Sequence, residues 1–195
     1  MKTEIIHGKD NYHLYYIYDG EKCIESGDSD GRKAYHFFDK KNRLIETRHI
    51  NGFWRKWLWD VDIVTSIDSN NQTDVISLKD PIKQIGYHGT SLSNAKSIQQ
   101  YGFDKQCKLL WPQSTGNLYV FSNTHLYSKD SCFNLAKKFA LKCANNDVEN
   151  AAIITVKLTN AVFRKYSVDC YDPSFEILSD VSPDDIIGVT SDGID

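Results

Sequence analysis

Short runs of aromatic and β-branched residues, each ended by a turn signal, fill the first 64 residues of the chain. One pair of runs flanks Asp19-Gly20, and a second pair flanks the stretch from Asp39 to Asn42. Such residues are typical of the tight turns that join antiparallel strands. The pattern therefore predicts a small antiparallel sheet that extends to about Val64. The polar stretch "TSIDSNNQTD" that follows predicts a linker or a long loop.

From Val75 onward the pattern changes, because apolar runs alternate with helical stretches. "SLSNAKSIQQYGF" offers Ser91 or Ser93 as a helix N-cap and Gly102 as a stop. "SKDSCFNLAKKFALKCANN" predicts a second, amphipathic helix. Its expected buried face consists of Phe133, Ala136, Phe139 or Ala140, and Cys143.

Five further runs predict strands: "QIGYHG", "NLYVFS", "AAIITVKLT", "SFEILSD" and "DIIGVTS". We therefore expect an α+β protein with a β-rich N-terminal lobe over residues 1–75 and a second domain over residues 76–195. No internal repeat is visible in the sequence.

Composition and charge exclude several classes of protein. With 41% hydrophobic and 25% charged residues the chain is expected to fold, and a net charge of −3 gives no general attraction to nucleic acid. The N-terminus lacks the apolar run of a signal peptide, and no stretch is apolar enough for a membrane span. We expect a cytoplasmic protein with no membrane association, or one delivered into the cytoplasm of a target cell.

The cysteines and histidines show no metal-binding spacing. The five cysteines are scattered and form no Cys-x-x-Cys pair, which predicts free thiols in a reducing compartment. Five of the histidines are interpreted as surface or core residues: His7, His13, His36, His49 and His125. No metal is therefore expected.

The stretch "GYHGT", residues 86–90, raises the question of function. Glycine weakens a strand unless something must approach the backbone closely. We therefore interpret Gly89 as a position against which a ligand lies. His88 taken alone would more often be a structural histidine.

Several motifs occur in a particular order: "YHGT", a helix that ends in "YGF", then "LYVFS", a helix near "FA", a long apolar strand, and "FEI". This order resembles the ADP-ribosyltransferase superfamily, in its His-Tyr-Glu branch of diphtheria toxin and the poly(ADP-ribose) polymerases. The resemblance covers roughly Ile82 to Val189. It implies a split β-sandwich with flanking helices, and NAD as a co-substrate.

The resemblance also implies roles for individual residues. His88 would hold the ribose of NAD, the backbone of Gly89 would bind the nicotinamide carboxamide, and the Thr90 hydroxyl would support that loop. Tyr119 would stack on the nicotinamide ring, and Glu176 would be the catalytic glutamate.

Two assignments have rivals. Phe139 is the candidate for a second aromatic residue against nicotinamide, with Tyr127 and Phe121 as alternatives. Asp172 competes with Glu176 as the catalytic acid. We favour Glu176 because it lies between Phe175 and Ile177, where a charge is costly unless it has a task.

These residue types suit the chemistry. Loss of nicotinamide from NAD leaves an oxocarbenium-like ribose, which a nearby carboxylate stabilises, while aromatic faces hold a flat ring. The expected function is mono-ADP-ribosylation of a macromolecular acceptor, protein or nucleic acid, as by a toxin, an effector or another modifying enzyme. Arginine is a poor candidate acceptor, since Ser174 stands where the arginine-modifying branch has an acidic or amide residue.

Three alternatives remain open. They are an NAD glycohydrolase, a relative of tRNA 2′-phosphotransferase, and an inactive module that binds NAD or ADP-ribose. The phosphotransferase ranks low because "LYVFSNTH" and the helix after it contain no arginine.

The N-terminal lobe could recognise the target. "GFWRKWLWD" mixes basic and aromatic residues, as platforms for single-stranded nucleic acid do. The plainer interpretation is a strand with its tryptophan face buried and with Arg55 and Lys56 outside.

Overall fold

The computed structural model describes residues 1–8, 11–79, 85–103, 118–159, 161–165 and 167–191. This part of the chain combines two antiparallel sheets with two α-helices, as expected of an α+β protein. It forms two compact units. The first takes the described residues up to 79 together with 167–172, and the second takes the rest. The division after residue 75 stays a prediction.

An eight-stranded meander makes up the sheet of the first unit, in which each strand pairs with the next one along the chain. The predicted hairpins at residues 19–20 and 39–42 both form within it. The strands are β1 (Lys2–His7), β2 (His13–Asp19), β3 (Lys22–Asp28), β4 (Lys33–Phe38), β5 (Leu44–His49), β6 (Trp54–Trp59), β7 (Ile63–Asp68) and β8 (Thr73–Ser77).

The stretch "TSIDSNNQTD" is a hairpin, so the prediction of a linker is wrong. Its residues end β7, turn, and begin β8. The Asp68 carboxylate accepts hydrogen bonds from the backbone N–H groups of Asn70 and Gln72, and Asn71 adopts a φ of 59°. An aspartate that bonds to the backbone ahead of it, followed by a left-handed Asn, makes a tight turn from polar residues.

The same loop recurs along the meander, beginning at Asp28, Asp39, His49 and Asp68. In each loop the N–H of the third residue after the first donates to the carbonyl of the first. That third residue has a positive φ at all four places: Gly31, Asn42, Gly52 and Asn71. A repeated turn therefore underlies the meander, although the sequence showed no repeat.

The tryptophan-rich strand β6 differs from the plainer interpretation in one respect. Trp57 is buried as expected, but Arg55 shares its face and pairs with Asp68 at 3.0 Å. Of the two basic residues of β6, Lys56 is the exposed one, and its Nζ lies 5.1 Å from the ring centroid of Trp54. Two-residue alternation along a strand explains this, since residues 55 and 57 must share a face.

The second unit contains a six-stranded sheet in the order β12-β13-β10-β9-β11-β14. Short 3₁₀ turns occupy Val148–Asn150 and Pro183–Asp185. The remaining elements are β9 (Ile85–Ser91), α1 (Leu92–Tyr101), β10 (Leu118–Phe121), α2 (Lys129–Cys143), β11 (Ala151–Lys157), β12 (Phe163–Lys165), β13 (Ser174–Ile177) and β14 (Ile186–Thr190).

Both helices begin where the sequence predicted. The Ser91 hydroxyl caps α1 by accepting from the Asn94 N–H, and Gly102 ends it with a φ of 79°. Ala95 and Ile98 are its buried residues. Ser128 caps α2 in the same way, through the N–H of Ser131.

Phe133 packs inward as predicted, against Tyr87, but the fully buried face of α2 agrees with the prediction only in part. It consists of Cys132, Ala136 and Ala140, whereas Phe139 is 44% exposed. The small side chains at these three positions let the helix lie close to the sheet, and a phenylalanine at one of them would hold the helix away. Ala140, the alternative to Phe139, is therefore the correct member of the buried face.

The two faces of the sheet have different partners. One face joins the described core of this unit, which includes Val120, Ile154 and Ile177 and the α1 residues Ala95 and Ile98. The other face carries α2.

Gly89 lies on the face that carries α2. A Cβ built on Gly89 would overlap the carbonyl oxygen of Ala136 and lie 2.6 Å from the backbone nitrogen of Ala140. Glycine here permits the close approach of a helix backbone to a strand. The close approach at Gly89 is therefore that of α2, and the interpretation that a ligand lies against this position is wrong. Neither described helix is long and apolar enough to cross a membrane.

Candidate active site

Tyr119 and Glu176 are direct neighbours on adjacent strands. Tyr119 of β10 pairs with Glu176 of β13, and Glu176 pairs in turn with Arg164 of β12. Directly opposed residues of antiparallel strands share a face, with Cβ atoms about 5 Å apart. The three side chains therefore form a row across three strands.

The Glu176 carboxylate is fully buried and ion-paired. Its exposed fraction is 0%, and its Oε2 accepts a hydrogen bond of 2.5 Å from Nε of Arg164. A buried carboxylate is stable only when hydrogen bonds and an opposite charge compensate it. The Arg164 side chain, which is 38% exposed, supplies that charge from the protein surface. Glu176 is therefore not a solvent-facing strand residue.

Arg164 was not identified from the sequence. It lies on β12, a strand of only three residues that the apolar pattern did not predict. An arginine at this place could have been found only from the pairing of β12 with the strand that carries Glu176.

The His88 side chain is hydrogen-bonded to the backbone of Tyr119, a member of this row. Its Nδ1 lies 2.7 Å from the carbonyl oxygen of Tyr119. Because a carbonyl can only accept, Nδ1 carries the proton, and Nε2 is the acceptor in the neutral ring. Burial lowers the pKa of the imidazole, while the bond to Tyr119 opposes that shift. His88 keeps a partly exposed side chain even so.

His88 does not share a face with the other two candidates. Phe121 pairs with Tyr87, so Tyr119 and Phe121 lie on the face of Tyr87. His88, one residue further along β9, projects its Cβ from the opposite face, where it is paired with Ile154. The structure thus brings Tyr119 and Glu176 together and links His88 to them by one hydrogen bond.

Thr90 follows Gly89 on β9 and is buried. Its hydroxyl oxygen accepts from the side-chain amide of Asn94 at 3.5 Å. This contact connects the strand that carries His88 to the first turn of α1. The position agrees with a residue that supports the local backbone.

The aromatic candidates meet on the α2 side. The rings of Phe139 and Phe121 lie 5.3 Å apart between centroids. Phe121 is two residues from Tyr119 on the same strand face, and both Phe121 and Tyr127 are buried. The exposed Phe139 is thus placed near the candidate row, with Phe121 beside it.

Two buried polar atoms of the second unit have no hydrogen-bond partner within the described part of the chain. They are the hydroxyl of Tyr87 and Oδ1 of Asn123. Burial, with the charges of Cys132 and Asp130, raises the pKa of Tyr87 to about 12. Unpaired buried polar groups are rare in folded proteins, and a ligand could satisfy these two.

Asp172, the rival acid, lies in the segment 167–172 of the first unit. Ser174 begins β13 and pairs with Phe121. Within the described residues of the second unit, Glu176 is therefore the carboxylate paired across strands with Tyr119.

The first unit holds a second buried cluster that sequence spacing missed. One ligand-type atom each from Cys23, His36 and Cys170 lies within 4.8 Å of the other two, and all three residues are buried. Hydrogen bonds from Cys170 and His36 outweigh burial and lower the pKa of Cys23 to about 6. The prediction of no metal rested on local spacing and is not tested by this geometry. Cys107 lies outside the described residues.

Comparison with known proteins identifies no relative: no protein-family model, no curated protein and no solved structure matches this chain.

Proposed function

We propose that the second unit is an NAD-dependent mono-ADP-ribosyltransferase. It would transfer ADP-ribose from NAD to a macromolecular acceptor and release nicotinamide, as an enzyme of the toxin or effector type. The first unit would recognise the acceptor. The observation that carries the proposal is the buried carboxylate of Glu176 beside Tyr119, on neighbouring strands of one sheet.

The proposal assigns a separate role to each member of the row. Tyr119 offers its ring to the nicotinamide, and Phe139 is the second aromatic face. Glu176 faces the ribose, where a carboxylate stabilises the positive charge that develops as nicotinamide leaves.

Arg164 is a positioning residue in this proposal. It compensates the charge of Glu176 while no substrate is present. The cationic ribose of the transition state would take over part of that compensation. The partly exposed guanidinium can then turn toward water at little cost in free energy.

The proposed fold is the split β-sandwich of the family that the motifs resemble. Its support is the junction of β9 and β10, which share a single residue pair, Phe121 with Tyr87, among the described residues. Beyond that pair β10 continues beside β13, and β9 continues beside β11. A sheet that separates at this point would open a cleft beside His88, with Nε2 available to a ribose hydroxyl.

Labelled NAD tests the proposal. The chain is incubated with NAD labelled in its adenylate part and with cell lysate, and the products are treated with protease or nuclease. We expect the label to appear in a macromolecule and to be removed by either the protease or the nuclease. The Glu176→Gln variant is expected to give no labelled macromolecule. Free ADP-ribose with no labelled macromolecule would instead indicate an NAD glycohydrolase.

One observation favours a second candidate, a binding module without catalysis. Glu176 has no exposed surface and is already ion-paired, and the imidazole of His88 bonds to the backbone. A module of this kind would bind NAD or ADP-ribose without releasing nicotinamide. Calorimetric binding of NAD together with undetectable nicotinamide release would select this candidate.

A further inference from the structure

The buried cluster in the first unit lies outside the proposed active site. Cys23 is on β3, His36 is on β4, and Cys170 belongs to the segment 167–172 that packs in the same unit. The sequence separation of His36 and Cys170 is 134 residues. We propose that Cys23, His36 and Cys170 bind one Zn²⁺ ion.

The donor atoms suit zinc in type and spacing. Zn²⁺ prefers thiolate sulfur and imidazole nitrogen, at about 2.3 Å and 2.0–2.1 Å. In a tetrahedron with those bonds the donors stand roughly 3.3–3.8 Å apart. Sγ of Cys170 lies 3.6 Å from Nε2 of His36. The three donors lie within 4.8 Å of one another, so small side-chain rotations complete the approach.

The surroundings of His36 orient its Nε2 toward the sulfur atoms. Its Nδ1 lies 3.0 Å from the Thr47 hydroxyl oxygen and 3.8 Å from Oδ1 of Asp169. The ring of Tyr171 packs edge-on against the imidazole at 4.9 Å. A metal-binding histidine usually bonds a hydroxyl, carbonyl or carboxylate through its other nitrogen, which fixes the tautomer and raises ligand basicity.

Ser26 supplies the remaining side of the site. Its hydroxyl oxygen lies 2.9 Å from Nε2 of His36, and the residue is fully buried. The Ser26 hydroxyl is thus the candidate for a fourth ligand beside His36. Binding converts both thiols to thiolates, with the two protons released to solvent.

A closed zinc site of this kind would stabilise the fold of the first unit. It would fasten the segment 167–172 to strands β3 and β4, which are remote from it in the sequence. Asp169 assists through its contact with His49, at 3.4 Å. Metal binding to a site that the unfolded chain lacks adds directly to the free energy of unfolding.

Metal analysis tests the proposal. The reduced full chain is mixed with Zn²⁺ alone, dialysed, and its zinc measured. About one ion per chain is expected. The Cys23→Ser/Cys170→Ser variant is expected to lose at least about tenfold in affinity, while Cys143→Ser, on α2, keeps wild-type zinc content. Equal zinc in the wild-type chain and the double variant would overturn the proposal.

A second measurement uses only the wild-type chain, so it does not depend on how the variants fold. Zn²⁺ should protect Cys23 and Cys170 from alkylation, as identified by peptide mass, and leave Cys143 reactive. Co²⁺ should give the absorption bands of thiolate coordination. Protection of other cysteines, or a Cys23–Cys170 disulfide in protein prepared without oxidant, would contradict the site.

The orienting residues provide a finer test. Asp169→Asn should lower zinc affinity by about tenfold without changing the stoichiometry. An unchanged affinity would show that the carboxylate does not act on His36.

Discussion

The two units each bury ionisable groups that are joined across strands, but they do so from very different sequence patterns. In the second unit, Tyr119 and Glu176 belong to motifs that could be recognised in order along the chain. In the first, Cys23 and His36 meet Cys170 only because a distant segment packs in the same unit. Local spacing can reveal a site only where its residues lie in local motifs.

The clusters also differ in how charge is balanced. Glu176 is paired with an arginine whose side chain reaches solvent, whereas the groups around Cys23 and His36 are buried with hydroxyls and one carboxylate. In our two proposals, the carboxylate of Glu176 meets the cationic ribose of the transition state, and the cluster of Cys23, His36 and Cys170 binds a metal cation.

The largest effect on stability is expected from Gly89→Ala. Its methyl group would overlap the backbone of α2, and a helix backbone cannot yield as a side chain can. We expect the free energy of unfolding to fall by about 3 kcal/mol, as measured by urea denaturation.

Gly188→Ala is the matched control in the same sheet. A Cβ at this position meets nothing within 4 Å, so the change should stay within about 0.5 kcal/mol. Equal stability of the two variants would show that α2 does not lie against Gly89.

Removal of Arg164 should have the next largest effect. Arg164→Ala takes the guanidinium away from the buried carboxylate of Glu176. Breaking a buried pair costs about 3–5 kcal/mol, and the partial exposure of Arg164 reduces the expected loss to about 2 kcal/mol.

A double-mutant cycle isolates this pair. In the Glu176→Gln background, Arg164→Ala should cost at least about 1 kcal/mol less than in the wild-type chain. Additive effects would mean that the ion pair does not hold Glu176.

The predictability of the fold follows from how local each signal is. The caps of α1, the two hairpins and the apolar runs of β10, β11 and β13 depend on neighbouring residues, and all were predicted. Strand β12 was missed because three residues are too few to show alternation. The face of α2 was misjudged because tight packing selected Ala140 over the larger Phe139.

Two predictions based on polar residues were wrong. The turn at Asp68 is built from side-chain hydrogen bonds to the backbone, so it resembled a linker. Arg55 was placed outside on its charge alone, although alternation with Trp57 puts it on the buried face beside Asp68. Of the candidate site, Tyr119 and Glu176 could be named as candidates from the sequence, but their pairing, the face of His88 and the partner Arg164 required the strand register.

The repeated loops of the meander predict a smaller effect. Asn42 holds a φ of 62°, which strains residues other than Gly, Asn and Asp. Asn42→Ala should lower the free energy of unfolding by about 1.5 kcal/mol, whereas Asn42→Gly should leave it within about 0.5 kcal/mol. Equal losses in both variants would point to the asparagine side chain rather than the backbone.

The smallest expected effect is a pH dependence due to His88. Burial lowers its pKa in the folded chain, so the unfolded chain binds the proton first as pH falls below about 6.5. Stability present above that pH is lost on acidification. Comparison of His88→Gln with the wild-type chain by denaturation from pH 7 to 5 should show a shallower decline in the variant. Parallel curves would contradict a lowered pKa of His88 in the folded chain.

The most direct test of the central claim is the release of nicotinamide from NAD by the purified chain, measured beside a Glu176→Gln variant of matched fold. We predict release by the wild-type chain and a loss of at least about a hundredfold in the variant, in keeping with the removal of a group that stabilises transition-state charge. Equal rates in the two proteins would contradict the assignment of Glu176 as the catalytic carboxylate.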